Sequence, residues 1–189
     1  REGLRLLDLS MAADALALLD EAGRLLIVDT GDGRLRSSSS WEPGPRDFLV
    51  AGRFSPDGSH FLVATSAGTC ALLSAEDGGI RALQECGKRL TAVAWRSDSE
   101  EFSVGVSDGT VRWFGLGVEQ VARGHTSLGK SVHCIEYEPG TSLLWIGVGS
   151  GRVSIVDTRS GNRVRDLRFD DTVDPEDEGS DGNLARSFT

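Results

Sequence analysis

A hairpin pattern recurs four times along the chain and limits the folds that are open to it. Each copy is an apolar run, a short turn with glycine and a second apolar run; the glycines are Gly23, Gly68, Gly109 and Gly151, spaced by 45, 41 and 42 residues. Glycine suits these turns because hairpins require positive φ angles. A repeat of about 42 residues with this content predicts an all-β array of stacked units.

Each repeat is expected to hold four antiparallel strands. The two runs of the hairpin are the second and third strands. An apolar residue at a matching position before each hairpin marks the first strand, and a short run after the hairpin marks the fourth. Residues 1–169 therefore predict one repeat domain with units at 4–36, 46–83, 88–122 and 130–168, the fourth strand of the third unit lying at Val118 to Val121. Residues 10–23 alone also fit a helix, but the shared register favours strands. Units this small need neighbours to bury their faces.

Several segments resemble the motifs of WD-repeat proteins. They are Phe54-Ser-Pro-Asp-Gly58, Ser107-Asp-Gly-Thr-Val-Arg-Trp113, Arg123-Gly-His-Thr126 and Val156-Asp-Thr-Arg-Ser-Gly161. The resemblance covers nearly everything from Leu4 to Leu167 and implies a β-propeller of about four four-stranded blades. No unit keeps the family's Trp-Asp pair, so we expect its buried hydrogen-bond network to be incomplete and apolar packing to hold the blades together.

The number of blades raises the question of closure. Four is the smallest number expected for a closed propeller. The first predicted strand aligns with the innermost strand of its unit, and the fourth unit supplies its own outer strand. We therefore expect part of a larger propeller, with a closed four-blade ring as the alternative. Unclosed blade faces would be apolar and able to associate.

Charge and cysteine content exclude several classes of protein. The net charge of −9 argues against nucleic-acid binding. Residues 170–189 contain seven acidic residues and one arginine, a net −6, and predict an acidic, disordered tail. Three widely spaced cysteines indicate neither a disulfide framework nor a zinc site and favour an intracellular compartment, cytoplasmic or nuclear. No apolar run is long enough to span a membrane, so no membrane partner is expected.

One segment matches a nucleotide-binding pattern. Residues Gly124 to Ser131 fit G-x-x-x-x-G-K-[ST], in which Lys130 and Ser131 would reach phosphate and magnesium. That motif needs a following helix, whereas Val132 to Tyr137 continue the repeat as a strand, so we expect a connecting loop and keep nucleotide binding as the least favoured hypothesis. The scattered histidines predict no metal or cofactor, and no catalytic triad stands out, so we expect no enzyme.

Basic residues recur just before the first strand of successive units, while acidic turns gather at the other face. We call the predicted basic face the basic rim. It also takes in Arg123 and His125 from the connection between the third and fourth units, so that its residues are Arg46, Lys88, Arg89, Arg123, His125 and Lys130. With the WD-repeat resemblance, this polarity predicts a non-catalytic protein-interaction scaffold whose basic rim binds an acidic peptide segment, Trp41 serving as an aromatic anchor. The alternative is a structural spacer segment of a larger multidomain assembly protein.

Overall fold

A computed structural model describes residues 4–20, 23–39, 47–116, 122–149 and 151–169. The described residues form no helix; they form four sheets of four antiparallel strands, each a meander in chain order. Sheet 1 comprises β1 (Arg5–Ser10), β2 (Ala15–Leu19), β3 (Leu25–Asp29) and β4 (Leu35–Ser38), and sheet 2 comprises β5 (Leu49–Phe54), β6 (His60–Thr65), β7 (Thr69–Ser74) and β8 (Ile80–Glu85). Sheet 3 comprises β9 (Leu90–Trp95), β10 (Glu101–Val106), β11 (Thr110–Gly115) and β12 (Ala122–Ser127), and sheet 4 comprises β13 (Val132–Tyr137), β14 (Leu143–Val148), β15 (Arg152–Asp157) and β16 (Arg163–Arg168).

The four sheets share one hydrogen-bond register. In every sheet the residue after the third strand donates its amide N–H to the carbonyl of the residue before the second strand, in the pairs Thr30–Asp14, Ala75–Ser59, Leu116–Glu100 and Thr158–Ser142. The donors are spaced by 45, 41 and 42 residues, as are the hairpin glycines. The sequence repeat is therefore the structural repeat, and the predicted four-stranded units are confirmed.

Three apolar clusters join consecutive sheets. Sheets 1 and 2 share a cluster that includes Ile27 and Phe61, sheets 2 and 3 one that includes Leu72 and Phe102, and sheets 3 and 4 one that includes Trp113, Leu144 and Ile146. Fully burying a side chain of this size stabilises the fold by about 1.5–3 kcal/mol. The first strands of consecutive sheets, β1 with β5, β5 with β9 and β9 with β13, also contact each other. Within the described ranges, no such cluster contains residues of both sheet 1 and sheet 4.

Because the strands of each sheet form a meander, the two ends of the sheet carry different connections. The glycine hairpins and the connections between sheets lie together at one end, which we call the connecting-loop end. The remaining turns lie at the opposite end, where the Asp57 amide donates to Ser99 Oγ (3.0 Å) and the Gly140 amide to Ser97 Oγ (3.0 Å). These bonds link the turns of sheets 2, 3 and 4, so the opposite end runs continuously along these three sheets.

Two local predictions have different outcomes. The helix alternative for residues 10–23 is wrong, since Ala15–Leu19 is strand β2. The fourth strand of the third unit is Ala122–Ser127, not Val118 to Val121, and residues 117–121 lie outside the described residues. Gly124 makes this strand possible, because a Cβ there would lie only 2.3 Å from Trp113 Cζ2. Residues 170–189 also lie outside the described residues.

Candidate functional site

At the connecting-loop end, hairpins alternate with the residues that enter the first strands. The amides of Ser66, Ser107 and Gly149 in the hairpins donate to the carbonyls of Phe48, Arg89 and Ser131 respectively. Each acceptor stands at the entrance to the first strand of its sheet. This bond gives the strand entrance the same position in sheets 2, 3 and 4, and the contacts of β5 with β9 and of β9 with β13 place the three entrances in one row.

Two hairpin glycines hold the basic residues of this row against the neighbouring sheet. Gly68 and Gly109 have φ angles of +98° and +90°, which side chains rarely adopt. A Cβ at Gly68 would lie 2.5 Å from the carbonyl oxygen of Lys88, and one at Gly109 would lie 2.5 Å from that of Lys130. The absence of a side chain thus lets the backbones of Lys88 and Lys130 pack directly on the preceding hairpin.

The side chains of this row combine an aromatic ring with cations. The Arg89 guanidinium lies 5.9 Å from the centroid of the Phe48 ring, and Phe48 is 55% exposed. Lys88 Nζ lies 3.4 Å from Asp108 Oδ2, and its side chain is 63% exposed, while Lys130 is also exposed. An exposed aromatic under a guanidinium is an arrangement that can bind a partner by both packing and charge.

Acidic side chains share this end, so it is less purely basic than the sequence predicts. Asp47 Oδ1 accepts hydrogen bonds from Ser66 Oγ (2.8 Å) and the Ala67 amide (2.8 Å). Burial alone would raise the pKa of Asp47, but these hydrogen bonds outweigh it and lower the pKa. The amide and hydroxyl of Thr110, together with Lys88, lower the pKa of Asp108. Both aspartates are therefore charged at neutral pH, and they hold the turns.

Three residues of the predicted basic rim, and the predicted anchor Trp41, are not part of this row as the structure describes it. The structure corrects the position of Arg123, whose Nη1 lies 3.5 Å from Glu101 Oε2 at the opposite end, because β12 begins there. His125 is exposed in the middle of β12, opposite Arg112, and so lies on the outer edge of sheet 3. Trp41 and Arg46 lie outside the described residues. Lys88, Arg89 and Lys130 are the predicted residues that the structure brings together.

Phe48 is a residue of this end that the sequence reasoning missed. Its position is equivalent to those of Arg89 and Ser131, directly before the first strand of a sheet. An aromatic residue at that recurring position, where the chain is otherwise polar, is the signal that could have found it.

Glu101 is the centre of a buried polar network between sheets 3 and 4, which the sequence did not reveal. The side chain is 2% exposed and lies 3.2 Å from Arg96 Nη1. Its Oε1 accepts hydrogen bonds from Tyr137 Oη (3.0 Å) and Thr158 Oγ1 (2.7 Å). Burial, followed by the charge of Glu101, raises the pKa of Tyr137 well above its usual range, so the phenol stays a donor. This network fixes sheet 4 on sheet 3.

The first strands also enclose a polar cleft of about 310 Å³. Its lining includes Arg5, Arg53, His133 and Cys134, and Cys134 is an exposed residue. Arg53 Nη1 lies 2.6 Å from Glu136 Oε2, so an ion pair joins sheet 2 to sheet 4 past sheet 3. The two charges of this pair neutralise each other.

The remaining candidate features are the phosphate-binding pattern, metal-ion ligands and membrane spans. Gly124 to Ser127 belong to β12 and Val132 begins β13, so the segment that matches the phosphate-binding pattern is the second part of a strand and the connection after it, and it is followed by a strand instead of a helix. Among the residues with described positions, no three His, Cys, Asp or Glu side chains are grouped to hold a metal ion. In the same part of the chain there is no helix long and apolar enough to cross a membrane.

Comparison with models of protein families and with curated proteins finds no match for this sequence. The site must therefore be interpreted from its own residues.

Proposed function

We propose that this chain is a non-catalytic protein-interaction scaffold built from WD-repeat-like β-propeller blades. Four four-stranded meanders stacked with their first strands side by side fit this architecture, and the motif resemblance supports it. The three cysteines are free, which fits an intracellular location. Its ligand in this proposal is an acidic peptide segment of a partner protein, bound at the connecting-loop end.

The observation that carries the proposal is the row formed by Phe48, Lys88, Arg89 and Lys130. These residues come from three successive strand entrances and are all exposed. An acidic segment laid along the row would meet three cations, and an apolar side chain of the ligand could pack beside the Phe48 ring. Asp47 and Asp108 are engaged in turn hydrogen bonds and add specificity by repelling acids placed out of register.

Charge reversal tests the proposal. The probes are short fluorescent peptides rich in Asp and Glu, with and without an aromatic residue, and binding is measured by anisotropy. Lys88→Glu, Arg89→Glu and Lys130→Glu should each weaken binding by roughly fivefold, since an exposed charge contributes about 1 kcal/mol or less. Binding should also weaken as salt is added.

The matched control is Arg159→Glu, which makes the same change of charge at an exposed position of the opposite end. It should leave peptide binding unchanged. Equal loss in Arg159→Glu and the row variants would mean that only net charge matters, and the proposed site would be wrong. If the unaltered chain captures no acidic peptide, the spacer alternative is favoured instead.

A further inference from the structure

The fourth strands of sheets 2, 3 and 4 all lead the chain back to the connecting-loop end. The residue after each of these strands donates its amide N–H to the hairpin of its own sheet, in the pairs Cys86–Gly68, Leu128–Gly109 and Phe169–Gly151. In sheets 2 and 3 the second residue past this bond is a lysine of the row, Lys88 or Lys130. The chain therefore leaves sheet 4 at Phe169, at the same end of the stack as the row.

The sequence that follows Phe169 has the opposite charge to the row. Residues 170–181, which we call the acidic segment, contain seven acidic residues and no basic one. At the position where sheets 2 and 3 lead to a lysine, this segment has Asp171. The acidic segment lies outside the described residues, so its sequence and its starting point are what the argument uses.

Cations line the way from Phe169 to the row. Arg168 is exposed and stands opposite Arg152 in the register of β15 and β16. The Nη2 atom of Arg152 donates to the carbonyl of Leu128 (2.7 Å), in the connection that leads to Lys130 two residues later. A chain that runs from Phe169 toward the row therefore passes two arginines before it meets the first lysine.

Asp108 and Asp166 also lie near this path, and both are already engaged. Asp108 accepts a hydrogen bond from the Thr110 amide (2.9 Å) and pairs with Lys88. Asp166 accepts a hydrogen bond from a serine of β15 and pairs with Arg163. The two arginines and the three cations of the row outnumber these acids, so the path remains positive overall.

The acidic segment is long enough to lie along the row. Three strand spacings separate β16 from β13, so the entrance at Lys130 lies about 14 Å from Phe169, and the entrance of sheet 3 lies about 10 Å further. The three acids at 176–178 follow Phe169 by seven to nine residues. A chain of that length spans up to about 23–30 Å. These carboxylates can therefore reach both Lys130 and Lys88.

We infer that the acidic segment binds the row of its own chain, with the carboxylates of residues 176–178 on Lys130, Lys88 and Arg89. The inference rests on the proposed function, since it takes the row as a site for acidic peptides. A tethered ligand has an effective concentration on the order of millimolar when its linker spans the distance. A partner's acidic segment must therefore displace the chain's own segment before it can bind.

Cross-linking tests the contact without any partner. Lys88 and Lys130 are the only lysines of the sequence, so a carbodiimide, which condenses a carboxylate with a neighbouring amine, is directed to the row. We expect mass spectrometry of the monomeric product to find residues 176–178 joined to Lys130 or Lys88. The link between Lys88 and Asp108, whose charged atoms lie 3.4 Å apart, is the internal standard for a folded chain.

Peptide binding tests the competition. The neutral-segment variant carries Glu176→Gln, Asp177→Asn and Glu178→Gln in the full chain. It should lose the cross-links and bind the fluorescent acidic peptides about five- to tenfold more tightly than the unaltered chain, because the tethered competitor is gone. The difference should disappear at high salt, which screens both contacts. The matched control makes the same change of charge at three exposed positions of the opposite end and should bind like the unaltered chain; it carries Asp32→Asn, Glu76→Gln and Glu100→Gln.

The outcomes separate this inference from the proposed function. Equal peptide binding by the unaltered chain and the neutral-segment variant, with the Lys88–Asp108 link formed but none to residues 176–178, would overturn the inference and leave the proposed function intact. Links found solely in dimers, or equal tightening in the control, would also overturn it. Links within the monomer but no peptide binding by either chain would support the contact and overturn the proposed function.

Discussion

At the scale of single residues, Glu101 holds an unusual place because it is a charge inside an apolar stack. Arg96 and Arg123 lie near its carboxylate, and Tyr137 and Thr158 donate hydrogen bonds to it. A buried charge is tolerated only when partners satisfy it in this way. The consequence is that the interface between sheets 3 and 4 depends on one side chain more than the other two interfaces do.

Glu101→Gln should therefore destabilise the fold. Glutamine keeps the size of the side chain but leaves the Arg96 guanidinium, which is 7% exposed, without its buried counter-charge. We expect the free energy of unfolding to fall by about 2–3 kcal/mol, measured by urea denaturation at neutral pH. Tyr137→Phe is the companion variant and should cost about 1–2 kcal/mol, since it removes only hydrogen bonds. A loss below that of Tyr137→Phe would contradict a role for the charge.

None of this network could be predicted from the sequence. The sequence predicts Arg123 on the basic rim and gives no sign that Glu101 is buried, because charged residues in turns and loops are usually solvated. The two residues instead meet each other, 22 positions apart, where β10 begins and β12 begins. Ion pairs of this kind depend on the sheet register in three dimensions, which a count of charges along the chain does not contain.

At the scale of elements, hairpin turns were the most predictable part of the molecule. Their glycines carry positive φ angles, as Gly68 and Gly109 show, and their spacing located β2, β3, β6, β7, β10, β11, β14 and β15. Reading glycine as a sign of a turn or loop fails at Gly124, which the sequence predicts in a connecting loop and which lies in strand β12. There glycine serves close approach to Trp113 inside a strand, and sequence does not distinguish that role from a turn.

A glycine can be required because its φ angle is positive or because a side chain would clash with neighbouring atoms. Comparing Gly109 with Gly129 separates these two requirements. Gly129 has a φ of +69° but open space around it, whereas a Cβ at Gly109 would meet the Lys130 backbone. Gly129→Ala should cost about 1 kcal/mol for the torsion alone. Gly109→Ala should cost about 2–4 kcal/mol, because the connection to sheet 4 must also shift. Thermal unfolding of both variants measures the difference, and equal losses would show that space is unimportant at Gly109.

At the scale of the whole molecule, the periodic register was enough to predict the stack. Residues one repeat apart, such as Phe61 and Phe102, do fill equivalent buried places. The charge polarity was only half predictable, because Asp47 and Asp108 work as turn acceptors among the cations.

Acid should unfold the molecule through many small contributions. Hydrogen bonds and neighbouring cations lower the pKa values of Asp29, Asp77, Asp108, Asp157 and Asp166, and burial lowers the pKa of His60. Because the pKa of each group is lower in the folded chain, the unfolded chain takes up protons at a higher pH than the folded chain does. Stability is therefore complete above the unfolded values, 6.5 for histidine and 3.8 for aspartate, and is lost as pH falls through the folded ones.

Urea unfolding across the acid range measures this effect. The free energy of unfolding should fall slightly below pH 6.5 and much more steeply below pH 3.8, the ordinary values of the two groups. Asp157→Asn should be less stable at neutral pH. The side-chain oxygen of asparagine can still accept hydrogen bonds from Ser142 Oγ and the Arg159 backbone N–H, but it is uncharged and accepts them more weakly than the carboxylate does. The gap to the unaltered chain should close once the aspartate is protonated. A constant gap down to strong acid would contradict the assignment.

The stepwise packing of the sheets has a mechanical consequence. Each apolar cluster of the described residues joins two consecutive sheets. The ion pair between Arg53 and Glu136, which links sheet 2 to sheet 4, is exposed. A chain pulled from both termini should then yield from the outside inward, one sheet peeling away while the next still bears the load. Of the two outer joints, the one between sheets 3 and 4 is reinforced by Glu101, so sheet 1 should separate from the stack before sheet 4 does.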